Sequence, residues 1–202
     1  GSFAVSLGIM LIWNRLVAPA VAGGRSADER IRIVAAVVSL YPALAAPALA
    51  LGAIARMPRA DFAIERILIV SPSPQALRAV GLSCGYMLFD LIFCLRHRQC
   101  RQPLIIGHHI LSIIFFPYAA LSHRSLLIVL FFIVTEVTNF GQNARIILLR
   151  LGHEHTTLYL VNGVCWAASF FIVRIVPSPL LFYAMVYGSY AHFSDAAFYI
   201  AA

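Results

Sequence analysis

Lysine is absent from this 202-residue chain, and all 15 basic residues are arginine. Charge of either sign is scarce. Charged residues make up 11% of the sequence, against about 25% in an ordinary soluble domain. That scarcity excludes a water-soluble globule, because so few charges could not solvate its surface. No Cys-x-x-Cys pair links the four cysteines Cys84, Cys94, Cys100 and Cys165. Three of them fall inside apolar runs, so free thiols are expected rather than a disulfide frame or a zinc knuckle. There is no His-x-x-x-His or His-Glu-x-x-His, and adjacent histidines project about 100° apart on a helix. A helical metal site is therefore a poor fit. Glycine-rich phosphate loops and the Gly-x-Ser-x-Gly elbow are also missing, which removes nucleotide-binding and α/β-hydrolase chemistry. No glycosylation sequon occurs.

What is present is apolar: 61% of the residues are hydrophobic. A spanning helix needs roughly 20 residues. The pattern predicts an all-α, polytopic transmembrane helix bundle of six to seven spans. The expected spans are 3–22, 33–55, 79–95, 103–122, 125–149 and 156–176, followed by an apolar, aromatic stretch to Ala202. Pro42 and Pro47 should bend the second span, and Pro177-Ser178-Pro179 should break or kink the sixth. Two regions are expected: 1–30, an N-terminal apolar span and loop, and 31–202, a transmembrane domain cut short at its C-terminal end. The net charge of +7 sits mainly between apolar runs, where arginines anchor helix ends at headgroups. Nucleic acid is not an expected partner. One face carries Arg25, Arg30, Arg32, Arg96, Arg98, Arg101, Arg145 and Arg150, and the other Arg56, Arg59, Arg66, Arg78, Arg124 and Arg174. The more basic face is expected in the cytosol.

Several polar residues stand where a span has no need of them. A carboxylate at mid-bilayer costs about 2.5–3.5 kcal/mol on insertion scales. Glu136 lies near the middle of the fifth span and should face other helices or a cavity. Asn139 and Asn143 follow three and seven residues later, on the same helical stripe. Asp90, His108, His109, Asn143, Arg145 and Asn162 lie at similar depth toward the basic face. Together they predict a polar pocket opening to that side. Taken singly, the asparagines could equally be interhelical glue, and Arg145 and Arg174 could simply snorkel. His153 and His155 read as solvated loop residues.

These residues resemble the TLC-domain family, which includes the ceramide synthases and smaller transmembrane relatives. Gly85-Tyr86 through Asp90 resembles the family's Gly-Tyr…Asp signature, and His108-His109 its paired His. Glu136-Val137-Thr138-Asn139-Phe140 with Asn143-Ala144-Arg145 is similar to its Glu-x-Ser/Thr-x-Phe…Asn-x-Arg stretch. Asn162-Gly163 followed by Phe170 to Ile175 is similar to its Asn-Gly…Phe-Phe-x-x-Arg-Ile stretch. The small TLC-domain-containing transmembrane proteins are the nearer likeness. Two features depart: the downstream Asp pair of the synthases is missing, and Val38 stands where small relatives often carry His.

The resemblance implies a multi-pass protein of the endoplasmic reticulum or another endomembrane, acting in lipid homeostasis, with sphingolipids among the lipids concerned. Its pocket should be lined by Tyr86, Asn139, Asn143, Arg145, Asn162 and Arg174. An acyl-CoA-dependent N-acyltransferase is the alternative. There His108 or His109 would be general base and Asp90 or Glu136 would orient it, with acyl-CoA as co-substrate. A non-enzymatic cargo or assembly factor is the third reading. No cofactor or metal is expected. Membrane lipids are the expected partners, and homo-oligomerisation stays open.

Overall fold

The computed structural model describes residues 2–12, 15, 24, 26–63 and 66–187. It is an all-α bundle of membrane type. The helices are α1 (Ser2–Ile12), α2 (Ala27–Ile54), α3 (Pro74–Arg96), α4 (Pro103–Ser122), α5 (Leu126–Thr135), α6 (Thr138–Arg150) and α7 (Thr157–Phe170). Five helical runs among the described residues are long and apolar enough to cross a membrane: Ala27–Ile54, Pro74–Arg96, Pro103–Ser122, Leu126–Arg150 and Thr157–Tyr187. Of the expected first span, α1 covers the start and most of the rest lies outside the described residues. The apolar stretch beyond 187, the place of a seventh span, lies outside them too, as does Arg25.

Local chemistry sets the helix ends. The Ser26 hydroxyl accepts from the Glu29 N–H at 3.2 Å, and the Ser26 N–H donates to the Glu29 carboxylate at 3.0 Å. This reciprocal box starts α2. Ser73 caps α3 at Ala76, with Pro74 in the first turn, where its missing N–H costs nothing. The α4–α5 turn is tight: His123 and Ser125 both take positive φ. Beside it, the Ser125 N–H donates to the Leu68 carbonyl at 2.7 Å, tying two loops together on the face opposite the basic one.

Small residues let α2 and α3 approach. Ala46, Ala50, Ala53, Ala76 and Ala79 are all essentially buried, as in membrane bundles where packing rather than hydrophobicity joins helices. Gly85 serves the same end for α1. A Cβ there would lie 2.9 Å from the Ser2 Cβ and 3.2 Å from the Phe3 backbone nitrogen. The last run, by contrast, packs mainly on α6 and presents Leu158, Leu160, Val161 and Val164 outward. In a bilayer those side chains meet lipid at no cost.

The alternation of spans puts the start of α2, the loop between α3 and α4, and the end of α6 on one face. Cys100 sits in that loop. We expect it to be cytosolic, because basic short loops stay inside. An impermeant maleimide should label it on sealed, cytosol-side-out vesicles of a variant lacking the other cysteines. Labelling only after permeabilisation would reverse the orientation.

Candidate functional site

The expected fifth span is not one continuous helix. Between α5 and α6 the backbone tightens. Glu136, Val137, Asn139 and Phe140 donate to carbonyls three residues back, at 3.1, 3.1, 2.9 and 3.1 Å. The Thr135 carbonyl thereby loses the helical N–H it would otherwise receive from Asn139. Two side chains replace it: the Thr138 hydroxyl at 2.9 Å and the Arg174 Nη2 at 3.1 Å. Arg174 also donates from Nε to the Thr138 hydroxyl at 3.0 Å and from Nη2 to the Asn139 Oδ1 at 3.2 Å. It comes from a π-helical turn, Phe171–Ile175, ahead of Pro177. The expected break near Pro177 therefore takes the form of a π turn and a short turn inside a helical run that continues to Tyr187. Wider π turns recur at functional positions.

Glu136 is held at this break. Its Oε1 lies 3.8 Å from the Arg174 Nη2 and 3.8 Å from the His108 Nε2, and its other oxygen accepts from the Asn139 amide. The Glu136 side chain is only 14% exposed, so it faces the bundle interior. Asn143 donates back to the Asn139 carbonyl at 2.8 Å, continuing the same stripe.

A second pair stands opposite. The His109 Nε2 and the Asp90 Oδ2 are 2.8 Å apart, and both side chains are nearly enclosed. A carboxylate oxygen accepts, so Nε2–H is the donor, and Nδ1 is the nitrogen left over. That Nδ1 is buried and has no hydrogen-bond partner among the described residues. The ring stands edge-to-face with Tyr86, their centroids 6.5 Å apart. Ser39 gives its own proton to the Ala35 carbonyl at 2.8 Å, so Tyr86 donates to the Ser39 Oγ at 2.6 Å.

Most of these groups border one chamber of about 370 Å³, though Thr135 and Thr138 are not part of its lining. Asp90, His108, His109 and Glu136 line it, as do Tyr86, Asn139, Asn143 and Arg174. Arg145 and Asn162 do not. Arg145 stacks over the Tyr159 ring at 4.0 Å, and Asn162 donates to the Gly141 carbonyl at 2.9 Å. Both lie in the contact between α6 and α7: Arg145 stands two residues from Asn143 and so points to nearly the opposite side of the helix. Ser39, Arg32, Gln142 and Arg150 also line the chamber, and sequence reasoning does not find them. Ser39 is the findable one, a hydroxyl in an otherwise apolar span. Among the described residues no group of three or more His, Cys, Asp or Glu could hold a metal ion.

Replacing Asn162 with Ala should therefore cost about 1 kcal/mol of stability, typical of an interhelical hydrogen bond in a membrane protein. Ligand retention in the chamber should not change. Detergent unfolding and co-purified lipid, measured on the same preparation, check both halves. Lost lipid at unchanged stability would place Asn162 in the site after all.

Comparison with known proteins places residues 32–201 on the family model of the TLC domain. TLC domain-containing protein 4 of Xenopus tropicalis is 29% identical over 115 residues, which is 55% of this chain and 43% of that protein. TLC domain-containing protein 4-A of Xenopus laevis is similar to the same extent, 29% over 115 residues with the same coverage. The match thus spans less than half the length of each of these curated relatives. No solved structure matches.

Proposed function

The chain belongs to the TLC-domain family, and from that membership we propose that it acts in membrane-lipid homeostasis by holding the polar end of a lipid in the chamber. One observation carries the reading. Two carboxylates are kept inside a membrane-type bundle, each beside a basic side chain, around a space large enough for a headgroup. Ionisable groups at that depth are expensive and mark functional sites by default. An endoplasmic-reticulum or related membrane, with sphingolipids among the lipids handled, fits the family. The test is mass spectrometry of lipid extracted from protein purified in gentle detergent. A lipid class enriched over the surrounding membrane, and lost in Glu136→Leu, is expected. No enrichment would favour a cargo or assembly factor.

A second reading rests on the buried Nδ1 of His109. With Nε2–H committed to Asp90, a neutral ring holds a lone pair on the enclosed Nδ1, the electron pair a general base needs once a substrate reaches it. In an acyl-CoA-dependent N-acyltransferase it would take the proton of an attacking sphingoid amine. A C–N bond forms, the thioester C–S bond breaks, and the proton passes on to the leaving thiolate. His108 lies 3.8 Å from Glu136 and would be the alternative base. Turnover of acyl-CoA and long-chain base by purified protein separates this reading from a lipid-holding role.

A further inference from the structure

We propose that the basic mouth of the chamber binds the phosphate of an anionic membrane lipid, with Arg32 and Arg150 as its ligands and the acyl chain leaving between α4 and α6. This deepens the lipid-holding reading and rests on it.

Arg32 stands in the second turn of α2 and Arg150 at the last residue of α6. These two helices pack against each other, and both side chains line the chamber at the face that carries Cys100. Arg32 is half-buried and makes no ion pair among the described residues. The carboxylates nearest to it in sequence are engaged elsewhere, Asp28 by the Gln99 amide and Glu29 by Ser26. Deeper in, Asp90 and Glu136 already have His109 and Arg174 beside them. Three arginines, Arg32, Arg150 and Arg174, line the chamber against two carboxylates, Asp90 and Glu136, so its lining carries a net positive charge, and Arg32 brings part of it to the mouth. A guanidinium presents paired donors that match two oxygens of a phosphate.

The surroundings point to a lipid rather than a soluble anion. Ile105 of α4 and Leu149 of α6 flank the mouth, and both keep exposed apolar surface. The α4 helix packs on α3 and α5, while α6 packs on α2 and α7. The two helices thus face each other across the chamber, and an alkyl chain can leave between them into the bilayer. A zwitterionic headgroup would bring its own cation against two arginines, so charge complementarity favours a lipid with net negative charge.

Cys100 lines the same mouth and reports on it. Burial and Asp90 push its thiol up, and Arg32 opposes them. Each variant is therefore compared with its own ligand-free labelling rate. The full chain, with Ser at the other three cysteines, is placed in phosphatidylcholine nanodiscs. It is then titrated with decyl phosphate, with decanol or with inorganic phosphate. At ten times its Kd, decyl phosphate should slow maleimide labelling of Cys100 by about tenfold, and the other two should not at the same concentration. Arg32→Gln should weaken decyl phosphate by about tenfold or more. Arg32→Lys should keep part of the effect, and Arg98→Gln, outside the chamber, should keep all of it. Equal protection by decanol would overturn phosphate recognition while leaving the lipid-holding reading intact. Equal protection by inorganic phosphate would make this a free-anion site and overturn the lipid assignment. No protection by any probe, with lipid still co-purifying, would overturn the mouth alone. Absence of co-purified lipid as well would overturn the reading beneath it.

Discussion

Arg174→Gln should be among the most destabilising single substitutions in the bundle, costing about 3–5 kcal/mol, the loss typical when one partner of a buried pair is removed. Three consequences add up in that one change. Glu136, 14% exposed, loses the guanidinium 3.8 Å away. The Thr135 carbonyl, already stripped of its helical donor, loses the Nη2 at 3.1 Å. The Thr138 hydroxyl and the Asn139 amide oxygen each lose a donor. An unpaired carboxylate in a low-dielectric interior is costlier than no carboxylate at all. The double variant Arg174→Gln, Glu136→Gln should therefore be more stable than Arg174→Gln alone, a coupling that a double-mutant cycle reads directly. Unfolding by sodium dodecyl sulfate in mixed micelles measures all four proteins. If Arg174→Gln unfolded at the wild-type midpoint, the break between α5 and α6 would have to be held by something other than this arginine.

The second large effect concerns the histidines. In the acyltransferase reading, removing both imidazoles with His108→Ala and His109→Ala should lower acyl transfer by about 10²–10⁴-fold, the usual contribution of a general base. Folding should survive. Asp90→Asn should reproduce much of that loss, because an amide in place of the carboxylate no longer fixes the His109 tautomer that leaves Nδ1 free. In the lipid-holding reading the pair only bridges helices and lines the chamber. Each loss then costs roughly 0.6–2 kcal/mol of stability, with no change in turnover per folded molecule. Turnover and thermal stability must be followed in the same detergent. Full turnover in the double variant would remove both histidines from catalysis. The two residues are not equivalent in the fold. His109 is enclosed against Asp90, whereas the His108 side chain is 50% exposed and meets Glu136 at longer range. Single variants should therefore separate, with His109→Ala the more damaging.

Much of the site is legible in the sequence. Glu136 has to turn inward, since a lipid-facing carboxylate is expensive, and it does. Depth along the spans groups Asp90, His109 and Asn143 near the basic face, and all three line the chamber. Arg145 and Asn162 share that depth yet stand outside it. Which way a side chain points depends on helix rotation: Arg145 stands two residues from Asn143 and so points to nearly the opposite side of α6. No pattern announces the break at 136–137 either, because Leu126–Arg150 reads as one spanning run by length and hydropathy despite its polar residues. Arg174 is the opposite case. By sequence it could be a snorkelling residue near a helix end, but a π turn aims it at Thr135, Thr138, Asn139 and Glu136.

Composition and ordered motifs are enough to establish an all-α membrane bundle of the TLC-domain family, since neither depends on knowing any distance. They also establish that ionisable groups are buried in the spans, because the cost of exposing them to lipid does not depend on the fold's details. The partnerships are a different matter, and they come from the packed bundle: Asp90 with His109, Glu136 with Arg174, Tyr86 with Ser39. Each joins residues from different helices, 19 to 47 positions apart. Such contacts are set by helix rotation and by local departures from α geometry, and those in turn by how neighbouring helices pack. Hydropathy fixes how deep a residue lies; packing fixes what it faces.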